Sequence, residues 1–122
     1  MIYLGVGVFG AVGALIRFFV GRWVGEASFP YATLVVNVAG GFAIGYLFMV
    51  FQDGAQWGAW PMWVRTGVTV GGLGALTTFS TFSLESMRLM TSGAVGLGLL
   101  NILANNLLSL SCCYLGWKMG AA

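Results

Sequence analysis

Apolar stretches long enough to cross a lipid bilayer follow one another along almost the whole chain. A helix that spans the hydrocarbon core needs about 20 apolar residues. Four segments of the 122-residue sequence approach or exceed that length, at residues 2–24, 31–51, 62–90 and 94–117. Only 7% of the residues are charged, against about 25% in a soluble domain, so a water-facing surface cannot be built. The sequence therefore predicts an all-α membrane protein whose residues 1–122 form a single transmembrane domain.

Short breaks with turn and interfacial residues separate the four segments. Trp and Tyr collect at membrane–water boundaries because one end of the ring system is apolar and the other end forms hydrogen bonds. The breaks are marked by Glu26 and Pro30, by Asp53, Gly54 and Pro61 with Trp57, Trp60 and Trp63, and by Arg88, Ser92 and Gly93. Such short loops predict that successive helices are antiparallel neighbours.

The third segment has an unusual middle. Three of the four residues 71–74 are glycine, and five hydroxyl residues follow within positions 77–83. Non-helical backbone at membrane depth survives only where protein or a polar cavity surrounds it. We therefore predict a break in this helix near residues 72–78. The alternative is a continuous helix whose hydroxyls bond to carbonyls one turn earlier.

The positive charges give almost no preference for one orientation in the membrane. Arg65 and Lys118 would lie on one side and Arg22 and Arg88 on the other, where Arg17 adds a third charge if it snorkels toward the first loop. Because cytoplasmic loops normally carry the excess of Lys and Arg, a balanced count favours insertion in both orientations. Two opposed copies would then pair as an antiparallel homodimer.

Amides and hydroxyls lie inside two of the apolar segments. Asn37 is about two turns into the second segment, and Asn101, Asn105 and Ser109 repeat every four residues along one face of the fourth. These groups either line a path for a polar solute or hold neighbouring helices together by hydrogen bonds. The sequence alone leaves both interpretations open.

Other polar and aromatic residues are weaker indications. Phe79 and Phe82 share a helical face, and the electropositive edges of their rings would suit a small anion. Arg17 either snorkels to the interface or attracts anions, and we expect Glu85 to pair with Arg88. The sequence shows no paired carboxylates, nucleophile–base set or phosphate loop, so we expect no enzymatic activity. The small net charge gives no reason to expect nucleic acid as a partner.

Three strings in the sequence resemble the Fluc (CrcB) family of small dual-topology fluoride channels. The most specific is Gly74-Ala75-Leu76-Thr77-Thr78-Phe79-Ser80-Thr81-Phe82-Ser83-Leu84-Glu85. Two further strings, Gly10-Ala11-Val12-Gly13-Ala14-Leu15-Ile16-Arg17-Phe18 and Thr33-Leu34-Val35-Val36-Asn37-Val38-Ala39-Gly40-Gly41, resemble the motifs of the family's first and second helices. The resemblance extends over nearly the whole chain.

The resemblance implies an antiparallel homodimer with two fluoride pathways and one structural sodium ion at the two-fold axis. By the same resemblance, the backbone carbonyls of Gly74 and Thr77 bind the sodium. Asn37, Phe79 and Phe82 line the pathway, with hydroxyls nearby at Ser80, Thr81 and Ser83. In the fourth helix, Asn101 and Asn105 depart from the family pattern of aromatic or small residues and hydroxyls.

The expected function is passive, fluoride-selective export across the cell inner (plasma) membrane, which confers fluoride resistance. The expected partners are a second copy of the chain, fluoride and lipid. A small multidrug-resistance-type, proton-coupled exporter is the alternative. Such a transporter needs a carboxylate at depth in its binding chamber, and Glu85 is the single candidate.

Overall fold

A computed structural model describes residues 1–52 and 54–122, and the regular secondary structure of these residues is helical, with no strand. Helix α1 is Ile2–Val24 and α2 is Tyr31–Val50. The third segment comprises α3 at residues 62–76 and α4 at Phe79–Thr91, and α5 is Val95–Ala121. The predicted four segments and the broken third helix are confirmed. Asp53, which we expected to mark the second loop, lies outside the described residues.

Helix α3 combines two helical forms. It starts as an α-helix at Met62–Thr66, widens into a π-helix at Gly67–Leu73, and closes with an α-helical turn at Gly74–Leu76. Its glycine-rich face packs against α1 so closely that a methyl group on Gly13 would collide with the backbone of Gly72. Small residues at such positions let membrane helices approach each other.

Helices α2 and α5 form the most extensive contact between elements in the described part of the chain. Gly41 and Gly45, four residues apart on α2, lie against the carbonyls of Ser109 and Cys113 on α5, with no room for a methyl group at either position. Small residues at this spacing permit the close approach of the two helices. This contact brings Asn37 on α2 beside the polar face of α5.

The distribution of polar and apolar residues is the reverse of that in a soluble protein. Large apolar side chains are exposed along α1 and α5, whereas the described interior includes five buried polar residues, Thr33, Thr78, Ser86, Asn101 and Asn105. Helices α1, α2 and α5 are each long and apolar enough to span a membrane. The chain is therefore a multi-pass membrane protein with a polar interior.

Candidate functional site

The break in the third segment lies at two threonines. Thr77 (φ −79°, ψ 159°) and Thr78 (φ −152°, ψ 121°) are extended between the helical turn of α3 and the start of α4. The glycines at 71, 72 and 74 remain helical. The predicted break is thus present, but it occupies the last two residues of the predicted range.

Side chains create this break by taking two backbone donors out of the helical pattern. In a continuous helix, the Thr78 N–H would donate to the Gly74 carbonyl and the Thr81 N–H to the Thr77 carbonyl. Instead, the Thr78 N–H donates to Asn37 Oδ1 at 2.8 Å, and the Thr81 N–H donates to Thr78 Oγ1 at 3.0 Å. The carbonyls of Gly74 and Thr77 therefore lose their helical donors.

These two carbonyls satisfy a simple test for a sodium site. Sodium is a hard cation that accepts neutral carbonyl oxygens as ligands, and these are the two carbonyls that the resemblance names. Gly74 is exposed, and no atom of the rest of the described chain lies within 4 Å of the position of a side chain there. One chain supplies two of the four oxygens that the resemblance implies.

Asn37 is the polar centre of the site. Its Oδ1 accepts from the Thr78 N–H. Its Nδ2 donates to the Thr78 carbonyl at 3.1 Å and to Asn105 Oδ1 at 2.9 Å. The two contacts with Thr78 fix the orientation of the amide, because a backbone N–H donates and a carbonyl accepts. Both hydrogens of the Asn37 amide are engaged.

A cavity of about 460 Å³ opens beside this amide. Among the residues that line it are Asn37, Gly74, Thr77, Thr78, Phe79, Phe82, Asn105 and Ser109. The lining includes the two predicted sodium ligands and three predicted pathway residues. Asn105 and Ser109, named as further pathway candidates, also contribute.

The two phenylalanines approach each other but differ in exposure. Their ring centroids are 5.3 Å apart at an interplanar angle of 56°, which confirms the shared face. Phe82 is 7% exposed and Phe79 is 77% exposed. Phe79 thus presents its ring at the surface of the single chain.

The hydroxyls after the break do not line this cavity. Ser83 Oγ donates to the Phe79 carbonyl at 2.8 Å, one turn earlier, as in the alternative of back-bonded hydroxyls. Ser80 Oγ lies 3.4 Å from Thr78 Oγ1, and Thr81 enters the site through its backbone N–H. Ser80, Thr81, Ser83 and Arg17 are not among the lining residues.

Two of the three amides of α5, those of Asn101 and Asn105, are buried. Asn101 is fully buried and its Nδ2 donates to Ser86 Oγ at 3.0 Å, so Asn101 belongs to the packed interior rather than to the cavity wall. Ser109 Oγ is buried, and no hydrogen-bond partner for it occurs in the described part of the chain.

The expected local pair of Glu85 with Arg88 is wrong. No such ion pair occurs among the described residues. Instead, Thr33 Oγ1 of α2 donates to Glu85 Oε1 at 2.8 Å. The physical reason is tertiary packing: α2 places a hydroxyl donor against the carboxylate.

Sequence reasoning did not select Thr33, Thr78 or Ser86 as site residues. Thr78 carried a usable signal, because a threonine that precedes a helix commonly accepts from the N–H of the third helical residue. Thr33 and Ser86 gave no comparable signal, since their partners lie on other helices.

Comparison with known proteins identifies the family. A family model described as "CrcB-like protein, Camphor Resistance (CrcB)" matches residues 4–117. The chain belongs to the CrcB-like family. It is 45% identical to a "Fluoride-specific ion channel FluC" of Magnetococcus marinus, over 91% of this chain and 90% of that one. A protein of the same name from Thermus thermophilus is 39% identical, over 98% of this chain and 94% of that one.

Proposed function

We propose that this CrcB-like protein is a passive, fluoride-selective ion channel of the cell inner membrane. The observation that carries the proposal is the cavity that Asn37, two phenylalanine side chains and Ser109 line within a membrane-spanning chain. The names of the related proteins support fluoride as the ion.

The cavity offers what a small, strongly hydrated anion requires. Removing water from fluoride is expensive unless other donors replace it. Asn37 Nδ2 supplies an N–H donor to an anion that displaces Asn105 Oδ1. Ser109 also lines the cavity, and the ring edges of Phe79 and Phe82 are electropositive. A narrow path with these donors favours fluoride over the larger chloride. A negative-inside membrane potential then drives the anion outward.

The working unit in this proposal is an antiparallel homodimer. The balanced positive charges favour both orientations, and the exposed Gly74 and Phe79 offer an unpartnered surface at the break. A two-fold axis through that surface brings the Gly74 and Thr77 carbonyls of both copies together. The four oxygens would hold one structural sodium ion.

The direct test is passive fluoride efflux from liposomes that contain this chain alone, measured with a fluoride electrode. We expect fluoride to leave and chloride to be retained. Absence of fluoride efflux under an imposed potential would contradict the proposed function.

A further inference from the structure

Three asparagines and one serine form a continuous chain of hydrogen bonds, here called the amide relay. Asn37 Nδ2 donates to Asn105 Oδ1 at 2.9 Å, and Asn105 Nδ2 donates to Asn101 Oδ1 at 2.8 Å. Asn101 Nδ2 then donates to Ser86 Oγ, which donates to the Phe82 carbonyl at 2.8 Å. The relay joins α2, α5 and α4.

Backbone groups fix the direction of every bond in the amide relay. At one end, Thr78 N–H can only donate, so Asn37 presents its oxygen there and its nitrogen to Asn105. At the other end, the Phe82 carbonyl can only accept, so Ser86 donates to it and accepts from Asn101. A flip of one amide would place two donors or two acceptors face to face.

The bond between Asn101 and Asn105 has a role other than holding helices together, since both residues belong to α5. Asn105 Nδ2 also donates to the Asn101 backbone carbonyl at 3.1 Å. These two bonds fix the rotamer of Asn105, so that its Oδ1 points at Asn37. Interhelical attraction alone would not require them.

Asn105 Oδ1 accepts a hydrogen bond from Asn37 Nδ2, the donor that an anion in the cavity needs. One hydrogen of Asn37 Nδ2 is held by the Thr78 carbonyl and the other by Asn105 Oδ1. Thr78 is a backbone partner at the helix break, whereas Asn105 is a side chain that also lines the cavity. Asn105 is therefore the partner that can give way.

We propose that Asn105 masks the anion-binding donor of Asn37 and that Asn101 is its positioning residue, an inference that rests on the proposed function. An entering anion must displace Asn105 Oδ1 from the Asn37 amide. Because an ionised acceptor forms a stronger hydrogen bond than a neutral amide oxygen, the anion can take over this donor. The displacement costs the anion the free energy of the Asn37–Asn105 hydrogen bond.

The substitution Asn105→Leu removes the competing oxygen and leaves the Asn37 donor free. The apparent affinity for fluoride, measured as the fluoride concentration that half-saturates flux in liposomes, should rise about tenfold, which is the order of effect of one hydrogen bond at a buried site. Asn101→Leu, which does not line the cavity, should raise the affinity in the same direction by loosening Asn105.

Asn106→Leu is the matched control for the loss of an amide from the cavity wall. Asn106 also lines the cavity, but its Nδ2 donates to the Ile102 carbonyl of the same helix at 2.7 Å and takes no part in the amide relay. Its half-saturating fluoride concentration should change much less than that of Asn105→Leu. An equal change in the two variants overturns the inference, while fluoride flux through the wild type leaves the proposed function standing.

A measurement on the unaltered protein covers the case in which these variants fail to fold. The chain has four asparagines, so ¹⁵N-asparagine labelling gives four side-chain amide signals in an NMR spectrum. Fluoride should shift the side-chain signals of Asn37 and Asn105 together, with the same midpoint concentration. A fluoride shift of Asn37 without Asn105 overturns the inference.

Discussion

At the scale of single residues, Thr78 does more than its sequence context indicates. Its N–H and carbonyl both bond to the Asn37 amide, and its hydroxyl accepts from the Thr81 N–H. The same hydroxyl therefore caps α4 and keeps the Thr81 N–H away from the Thr77 carbonyl. One side chain links the start of a helix to the proposed sodium site.

Thr78→Ala tests this link. Loss of the cap should lower stability by about 1 kcal/mol, and the released Thr81 N–H can return to the Thr77 carbonyl. We expect a lower unfolding temperature of the purified protein and a weaker dependence of that temperature on sodium. Thermal unfolding in sodium and in a large organic cation measures both effects.

Thr91→Ala is the control for this substitution, because the exposed Thr91 hydroxyl only donates to carbonyls of its own helix. It should leave the sodium dependence unchanged. Equal behaviour of the two variants would show that the Thr78 cap does not control the Thr77 carbonyl.

At the scale of elements, the sequence predicted the broken helix but assigned the break to the wrong residues. The glycine cluster at residues 71–74 indicated a stretch where a helix would be unstable. Gly71 and Gly72 nevertheless stay helical, because they lie in the π-helical part of α3 that packs on α1. The extended residues are Thr77 and Thr78. There, side-chain oxygens accept hydrogen bonds from backbone N–H groups that a continuous helix would use. Asn37 is 41 positions away from Thr78, so local sequence cannot show that contact.

For the polar residues of the site, too, the sequence predicted the local arrangement but not the contacts with distant residues. The four-residue spacing of Asn101 and Asn105 predicted one face of one helix, and the structure places both on the buried face of α5. The partners of these amides could not be predicted, since they depend on how α2, α4 and α5 pack. The Glu85 prediction failed for this reason, because Thr33 lies 52 positions away.

Substitutions at Gly74 and Thr77 should distinguish the contribution of the backbone carbonyls at the break from that of the side chains. Gly74 has φ −62°, which any residue adopts, and its surroundings within one chain are open. Gly74→Val should therefore leave the single chain folded and prevent assembly of the dimer. Size-exclusion chromatography with light scattering in detergent measures the assembly.

Thr77→Ala is the counterpart, because it keeps the carbonyl and removes a hydroxyl that donates to Leu73 in its own segment. This variant should still dimerise and still be stabilised by sodium. A dimer of normal stability from Gly74→Val would contradict the placement of the axis at the break.

At the scale of the whole molecule, the proposal depends on two copies in opposite orientations. Arg65 and Lys118 lie toward one end of the helix bundle by topology, and Arg22 and Arg88 toward the other. This balance gives the membrane-insertion machinery almost no bias. We therefore expect both orientations to be made from one sequence.

Added charge should upset this balance. A few lysines appended after Ala122 should hold that end in the cytoplasm and force one orientation. We expect cysteine-accessibility labelling at the C-terminus to report both sides for the natural sequence and one side for the lysine-tagged chain, which should lose fluoride export. A single orientation of the natural sequence would contradict the antiparallel dimer.

The most direct test of the central claim is ion flux through the purified chain. Liposomes loaded with fluoride or with chloride, and held at the same imposed potential, are compared with liposomes containing Asn37→Asp. In that variant an oxygen replaces the Asn37 nitrogen that donates to Thr78 and Asn105. The account predicts rapid fluoride efflux, retained chloride and a strongly reduced fluoride flux in the variant. Equal leakage of both ions from wild-type liposomes, or none of either, would contradict it.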